Sequence, residues 1–342
     1  MEIIDNKCKN CAGELHYDPE SQELKCLQCS SIVNIPEEPA RSEKKLYTPT
    51  CNITQSQNEY TQYTCKACGR KHVTPINQDV LSCPSCGYND LDKVNEVDYI
   101  PDGIIPFKLN QEKALVCFKD WIKRRKFAPN SLKRLAKTQC LTGLYLPIYN
   151  YDFIAQTHYS GVGVNTYKDK DGRSRSTRTH FSSSRIDNYV NYIEAANSTI
   201  PSSVLREMSN FNFNDIYVYR PEFLYGWIGS KVDIDIHDSC TRAKNSASSE
   251  IRTRVRNSLH YDRIENFVCN TNFENMRYNY LYVPVWINNY KYKDKTYNCY
   301  INGITGKVSG NSPKSFWKIL FTVLGICALV GGLVFLAYYL SA

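Results

Sequence analysis

Two matched cysteine quartets constrain this chain of 342 residues more than any other feature. They share the spacing C-x2-C-x14-C-x2-C, and every cysteine of the second quartet lies 57 residues after its counterpart in the first. The eight cysteines are Cys8, Cys11, Cys26 and Cys29, followed by Cys65, Cys68, Cys83 and Cys86. Each Cys-x-x-Cys pair forms a turn that directs two thiolates at one point, and the intervening hairpin returns the second pair. The repeat therefore predicts two closed, tetrahedral zinc sites with a structural role.

Zinc explains the quartets better than redox chemistry or disulfides do. A redox Cys-x-x-Cys motif is expected once, beside a βαβ unit, and the total of 15 cysteines is odd. Each unit spans about 30 residues, which is too few to fold by burial alone, so zinc binding would supply its folding free energy. Gly69 and Ala12 occupy the same place in the two quartets, where a positive φ favours glycine. His16 and His72 are in excess of the eight ligands, and we expect both on the surface.

An uncharged run of 22 residues, 319–340, is the second strong constraint. At about 1.5 Å of rise per residue, a helix over this run is long enough for a hydrocarbon core of about 30 Å. A buried core helix is the alternative, but such helices seldom run this long without a charge. Residues suited to the lipid headgroup level stand at both ends of the run, and they are Phe316, Trp317, Lys318, Tyr338 and Tyr339.

The flanking charges predict how the run is oriented. Lys307, Lys314 and Lys318 lie on its N-terminal side, and positive charge favours the cytoplasmic side of a membrane. The first ten residues are too charged for an export signal. We therefore expect a single-pass protein of the cell membrane with a cytoplasmic N-terminus and a C-terminal anchor. That topology keeps the eight cysteines in a reducing compartment.

The predicted fold class is α+β, with two zinc ribbons, a mixed body and one transmembrane helix. The boundaries are a first ribbon at 1–36, a polar linker at 37–62, a second ribbon at 63–96, a body at 97–313 and an anchor at 314–342. In the body, hydrophobic periodicity predicts helices and strands. The predicted helices are 110–126, 129–137 and one from Asp238 to about 258; the predicted strands lie within 144–164, 217–236 and 267–303, and 168–185 is predicted to be an exposed hairpin tip. The linker would let the ribbons extend away from the body.

Charge separates the ribbons from the body. Residues 1–96 hold 10 Lys and Arg against 14 Asp and Glu, whereas residues 97–313 hold 30 against 20. Zinc bound by four thiolates adds a net charge of about −2 per site, so ribbons that gripped phosphates would need more basic residues than these have. The basic body suits an anionic cytoplasmic leaflet. Its densest clusters are Lys123, Arg124, Arg125 and Lys126, and Arg252, Arg254 and Arg256; solvated helix faces explain them equally well.

Catalytic motifs are absent from the sequence. It contains no phosphate-binding G-x-x-x-x-G-K-[ST], no H-E-x-x-H and no G-x-S-x-G. Asp233, Asp235 and His237 alternate on a predicted strand and form a candidate metal group. The alternative for these three is a polar strand edge that leads into a helix cap. We therefore predict that the protein is not an enzyme.

Three features together resemble one bacterial family. They are the quartets, residues 99–107 (YIPDGIIPF) and residues 302–310 (NGITGKVSG). The chain resembles, over nearly its whole length, membrane-anchored double zinc-ribbon proteins, often described as containing a transcription-factor-IIB-type zinc ribbon. The resemblance implies that the eight cysteines bind two structural zinc ions. It also implies an association with phage-shock-protein-A-like and flotillin-like SPFH proteins, whereas a helicase label carried by some members does not fit, because the ATP-binding loop is missing.

These expectations combine into one functional hypothesis. A non-catalytic adaptor, anchored in the bacterial membrane, would recruit cytoplasmic protein partners through its ribbons, in a membrane-stress response. The alternative is a membrane-tethered regulator that binds nucleic acid, because zinc ribbons often serve transcription and replication. The acidic ribbons favour protein partners over nucleic acid.

Overall fold

The computed structural model describes residues 6–36, 38–40, 43–50, 55–56, 60–75, 80, 82–94, 98–135, 141–292 and 295–341. The strands are β1 (Leu15–Asp18), β2 (Glu23–Cys26), β3 (Ile32–Val33), β4 (Lys45–Leu46), β5 (Gln55–Ser56), β6 (Tyr60–Cys65), β7 (Lys71–Pro75), β8 (Leu91–Val94), β9 (Asp98–Tyr99), β10 (Gly103–Ile104), β11 (Thr142–Lys168), β12 (Ser174–Ala195), β13 (Ile228–Ser230), β14 (Arg263–Tyr292), β15 (Lys295–Asn302) and β16 (Val308–Gly310). The helices are α1 (Gln111–Arg124), α2 (Asn130–Leu135), α3 (Ser202–Glu207), α4 (Ile236–Ser258) and α5 (Phe316–Ser341), with a 3₁₀ turn at Pro221–Leu224. This mixture confirms the predicted α+β class.

Three very long antiparallel strands form the centre of the body. β11 has 27 residues, β12 has 22 and β14 has 30, and β11 lies between the other two. Their β-branched and aromatic residues suit a pleated surface. The turn between β11 and β12 passes through Gly172 at φ +76°, a conformation that favours glycine. The exposed hairpin tip predicted at 168–185 is present, and we call its outermost turn, residues 169–173, the arm tip.

Helix α4 covers one face of this long sheet. Its buried stripe includes Ala243, Ala247 and Ile251, which pack against buried tyrosines such as Tyr149 and Tyr151. Small residues on the helix allow the aromatic rings to approach closely. The predicted cap at Asp238 is shifted by three residues, because the side chain of Asp235 accepts the backbone N–H of His237 and caps the helix instead.

The strands predicted within 217–236 are mostly replaced by turns. The Pro221–Leu224 turn and Gly226, at φ +79°, interrupt the chain, and only the short strand β13 follows. The aromatic residues of this stretch are spaced as in a strand, which explains the prediction. In the structure they lie in and around the turn, and their side chains pack into the core. Arg220 and Glu222 form a buried ion pair there, at 2.8 Å.

Both ribbons are attached to the body. β1, β2 and β3 form a three-stranded sheet of their own, whereas β6, β7 and β8 belong to the large sheet that contains β11 and β14. The junction is the pairing of β7 with β13, in which Val73 lies opposite Gly229 and His72 lies opposite Ser230. β13 in turn pairs with the start of β11. The second ribbon is therefore a continuous extension of the central sheet.

The described part of the predicted linker also lies on the body. β4 pairs with β14 beside Tyr278, and a β-bridge joins Pro39 to Tyr217. The hydroxyl of Tyr47 lies 2.8 Å from Nδ1 of His237. The expectation of a free tether was therefore wrong for these residues, because backbone pairing with distant strands gives this polar stretch partners that its composition does not reveal.

Within the described residues, α5 is the one helix long and apolar enough to span a membrane. The window Phe316–Val334 has a mean hydropathy of 2.1, and none of it is buried against the rest of the protein. A core helix of a soluble domain would be mostly buried, so exposure favours a lipid environment. Phe316 and Trp317 are exposed at its start. Tyr338 and Tyr339 lie in its last turns, where the side chains are outside the described part of the structure.

Candidate metal centres

The first quartet brings its four sulfurs together although its cysteines are up to 21 residues apart. The Sγ atoms of Cys8 and Cys29 lie 3.6 Å apart, and those of Cys11 and Cys26 lie 3.5 Å apart. Cys8 and Cys26 are buried, while their partners face solvent. The β1–β2 hairpin connects the two Cys-x-x-Cys turns and sets this distance.

The second quartet repeats the arrangement. The Sγ atoms of Cys65 and Cys86 are 3.6 Å apart, and those of Cys68 and Cys83 are 3.7 Å apart. β6 ends at Cys65, and β7 returns the chain antiparallel to it. In the part of the chain that the structure describes, these two four-cysteine groups are the clusters whose ligand atoms all lie within 4.8 Å of one another.

The sulfur geometry fits a tetrahedral metal ion. Four sulfurs about 2.3 Å from one zinc ion stand about 3.8 Å apart along each edge of the tetrahedron. The measured separations of 3.5–3.7 Å are close to that edge, and they far exceed a disulfide bond of about 2.05 Å. The clusters are therefore compatible with two structural zinc ribbons, and thiolate-only ligands are consistent with zinc.

The backbone turns at the quartets are alike despite different residues. The N–H of Gly69 donates to the carbonyl of Cys65 at 2.8 Å, and the N–H of Ala12 donates to the carbonyl of Cys8 at 2.8 Å. Gly69 has φ +69° and Ala12 has φ +57°. Placing a non-glycine residue in this left-handed backbone conformation costs about 1–2 kcal/mol of conformational free energy. The departure from glycine in the first quartet is thus tolerated without loss of the turn.

Hydrogen bonds at the first cluster favour thiolates. The hydroxyl of Ser31 lies 3.0 Å from Sγ of Cys29, and this contact is the main cause that lowers the pKa of Cys29 to about 6. The backbone N–H of Asn10 donates to Sγ of Cys8 at 3.4 Å and lowers the pKa of that thiol. The thiolate is the form that binds metal, so these contacts favour ligation by Cys29 and Cys8. The pKa of Cys11 is instead raised to about 12, because the backbone N–H of Gly13 lowers it less than the neighbouring sulfurs, those of Cys29 and Cys26 first, together raise it.

His72 was expected on the surface, but the structure buries it next to the second cluster. It is fully buried on β7, and its Nε2 lies 3.3 Å from Sγ of Cys83. Burial lowers its pKa to about 4, so the imidazole is neutral and can donate one N–H to the sulfur. His16 is also not free on the surface, because it is half buried against Gly226. Alternation along β7 could not have identified His72, because Val73 and His72 lie on opposite faces of the strand and both faces are covered.

We predict that His72→Phe weakens metal binding at the second cluster. The phenyl ring preserves the buried volume but removes the ring nitrogen that lies 3.3 Å from Sγ of Cys83. Loss of a partner that orients a ligand typically lowers metal affinity by about 10- to 100-fold. Competition with a chromophoric chelator measures zinc affinity at each site, and His16→Phe is the matched control. Equal affinity of the second site in both variants would show that the contact with Cys83 does not stabilise it.

The first ribbon reaches the body through an aromatic junction. Nε1 of Trp227 donates to the carbonyl of Tyr17 at 3.0 Å, and the N–H of Tyr17 donates to the carbonyl of Tyr225 at 2.9 Å. Nε2 of Gln22 donates to the carbonyl of Phe107 at 2.7 Å. Buried residues of the ribbon join the same hydrophobic core as the body. The first ribbon, which carries the first cluster, is therefore packed against the body.

The structure does not bring the candidate metal group of the body, Asp233, Asp235 and His237, together as a ligand cluster. Asp233 accepts hydrogen bonds from the backbone N–H and the hydroxyl of Ser198, at 2.8 and 2.6 Å. Asp235 caps α4, and His237 faces Tyr47. The strand predicted to align the three side chains is absent here, because α4 begins at Ile236. Each residue instead has its own structural partner.

A known protein is similar to nearly the whole chain. No protein-family profile matches, and no solved structure matches. "Uncharacterized protein YdjG" of Bacillus subtilis (strain 168) is 24% identical over 331 residues, which cover 95% of this chain and 94% of that protein. The similarity therefore extends over nearly the whole length of both chains.

Proposed function

We propose that the protein is a non-catalytic adaptor, anchored in the cell membrane by α5, that uses two zinc ribbons to recruit cytoplasmic protein partners. The zinc ions would be structural. The partners that the family resemblance implies are SPFH or flotillin-like and phage-shock-protein-A-like proteins, in a membrane-stress response. The single observation that carries the proposal is a pair of four-cysteine clusters built into a body that continues into an exposed apolar helix.

The chemistry of the clusters supports a structural and not a catalytic role. Four thiolates complete the coordination of a zinc ion, so no position remains for water or substrate. The acidic charge of residues 1–96 also disfavours phosphate ligands at the ribbons. An adaptor needs a stable recognition surface, and zinc supplies the stability that a ribbon of about 30 residues lacks.

The first ribbon offers apolar side chains for a partner to bind. Leu27 is 65% exposed and Ile32 is 56% exposed, on a ribbon whose other apolar residues enter the core. Exposed apolar side chains can be buried by a partner, which gives a favourable contribution to binding. We therefore expect Leu27 and Ile32 to contact the recruited partner.

Replacing both residues by serine is the test of this surface. Leu27→Ser with Ile32→Ser in the full-length protein should lower recovery of SPFH-like and phage-shock-protein-A-like partners by about fivefold or more, as loss of a central apolar contact does. The measurement is quantitative mass spectrometry after affinity purification from solubilised membranes. Ile186→Ser with Val190→Ser, two exposed apolar residues of β12, is the matched control. Unchanged recovery in the ribbon variant would contradict the proposal.

The nucleic-acid alternative is favoured by a different part of the molecule. In the arm tip and on the strands next to it, Arg173, Arg175 and Arg178 are exposed, and Tyr167 is half exposed. Basic residues with an aromatic neighbour suit single-stranded nucleic acid. Replacing the three arginines by glutamine should then abolish salt-sensitive binding of DNA or RNA by the full-length protein in detergent. Retained partner recovery with no nucleic-acid binding would favour the adaptor.

A further inference from the structure

The basic cluster at the end of α1 lies directly beside the start of the apolar helix. We define this basic collar as Lys123, Arg124, Arg125 and Lys126. The backbone N–H of Ser315 donates to the carbonyl of Phe127 at 2.8 Å. Nζ of Lys318 donates to the carbonyl of Ala128 at 2.7 Å and to Oδ1 of Asn130 at 2.9 Å. These hydrogen bonds join the residues that directly follow the collar to the first turn of α5.

The collar is exposed and has little internal neutralisation. All four side chains face solvent, because the opposite face of α1 buries Ala114, Phe118 and Ile122 in the core. Lys123 pairs with Asp120 at 3.1 Å, a bond between exposed groups that contributes little. Among the described residues, no carboxylate lies within ion-pair distance of Arg124 or Lys126. Arg124 and Lys126 therefore present exposed positive charge to an external anion.

Aromatic side chains next to the collar have the composition of a membrane interface. Trp317 is 64% exposed and Phe127 is 38% exposed. The guanidinium of Arg125 stacks over the ring of Trp121, 4.6 Å from its centroid. Aromatic rings and basic groups at the end of an apolar helix are the arrangement that sits among lipid headgroups.

From this geometry we propose that the basic collar binds the phosphate groups of anionic lipid headgroups, next to the point where α5 enters the bilayer. The inference rests on the proposed membrane anchoring by α5. Four basic residues at this depth hold the body against the inner leaflet and limit its rotation about the helix. Each basic residue near an anionic surface contributes about a fivefold gain in binding, and salt weakens the contact.

The collar is far from the other basic surface of the body. Tyr292, at the end of β14, lies 3.0 Å from Ser131 through their hydroxyls, close to the anchor. The other end of β14 pairs with Val164 near the arm tip. At about 3.3 Å per residue, the 30 residues of β14 span up to roughly 95 Å. The arm tip is thus a distant control with the same sign of charge.

Lipid binding by full-length protein in a neutral detergent tests the proposal. Native mass spectrometry would count bound phosphatidylglycerol and phosphatidylcholine for the wild type and for a collar variant with Lys123, Arg124, Arg125 and Lys126 all replaced by glutamine. The matched control replaces four residues around the arm tip by glutamine, namely Lys170, Arg173, Arg175 and Arg178. A charge-retaining variant, Arg124→Lys with Arg125→Lys, shows whether the fold or the charge is responsible.

We expect the wild type to prefer phosphatidylglycerol and the collar variant to lose roughly tenfold or more of that binding. The arm-tip variant and the lysine variant should keep it. Equal binding by the collar variant and the wild type overturns the proposal, as does an equal loss in both glutamine variants. A collar that binds duplex DNA without preferring phosphatidylglycerol overturns it too. Wild-type protein that alkaline carbonate removes from membranes would instead contradict the anchoring itself.

Discussion

Replacing Cys65 and Cys83 together by serine is expected to reduce bound zinc from two ions per chain to one and to destabilise the whole body. The second ribbon contributes β7 to the large sheet, where it pairs with β13 and through it joins β11. A structural zinc ion supplies about 10–16 kcal/mol to a small zinc domain, which is comparable with the total stability of a typical protein. Loss of the ion should therefore remove β7 from the sheet and leave the edge of β13 unpaired.

Zinc content by elemental analysis and thermal unfolding by circular dichroism measure this effect. Cys8→Ser with Cys26→Ser should also remove one ion, with a smaller drop in unfolding temperature, because β1, β2 and β3 form a separate sheet. Cys117→Ser with Cys269→Ser changes two thiols outside the clusters and should retain both ions. Two zinc ions in the Cys65 and Cys83 variant, or an unchanged unfolding temperature, would contradict this role of the second ribbon.

Phe107→Ala is expected to have the largest effect of any single core substitution on the first ribbon. The ring of Phe107 is fully buried and stacks on Trp227, with 4.1 Å between centroids. It also meets Tyr145 and Trp286 edge to face, at 5.0 and 5.3 Å. Replacing a buried phenylalanine by alanine typically costs about 3–5 kcal/mol of unfolding free energy. Trp227 would lose its support, and with it the hydrogen bond to the carbonyl of Tyr17.

Urea unfolding and limited proteolysis together test this prediction. The unfolding midpoint should fall, and residues 6–36 should become the earliest site of cleavage. Phe181→Ala is the matched control, because Phe181 stacks on Tyr261 at 5.6 Å in the long hairpin, away from the ribbon. A ribbon that resists cleavage in the Phe107 variant as well as in the wild type would show that the aromatic junction does not hold it.

The metal clusters could be predicted from sequence because residues close together in the chain determine them. Two residues between paired cysteines determine each turn, and a short hairpin returns the second pair, so spacing alone predicts the cluster. The apolar helix could be predicted for the same reason, because one continuous run of uncharged residues forms it. Two of the three long strands were also predictable, because residues alternate in much of β11 and β14, whereas β12 was not predicted as a strand.

The junctions between ribbons, linker and body could not be predicted, because they depend on pairing across long distances in sequence. β7 meets β13 more than 150 residues away, and that pairing is what buries His72 beside Cys83. β4 joins β14 across more than 230 residues. Such contacts leave no periodic signal in a short polar segment, so composition indicated a surface histidine and a free tether.

Zinc per chain, measured on full-length protein extracted from carbonate-washed membranes, tests the central claim most directly. One preparation tests both parts of that claim, the zinc content of the two sulfur clusters and the membrane insertion of α5. We predict two zinc ions per chain in protein that remains with the washed membranes. Protein that carries no zinc, or that is released into the wash, would contradict the account.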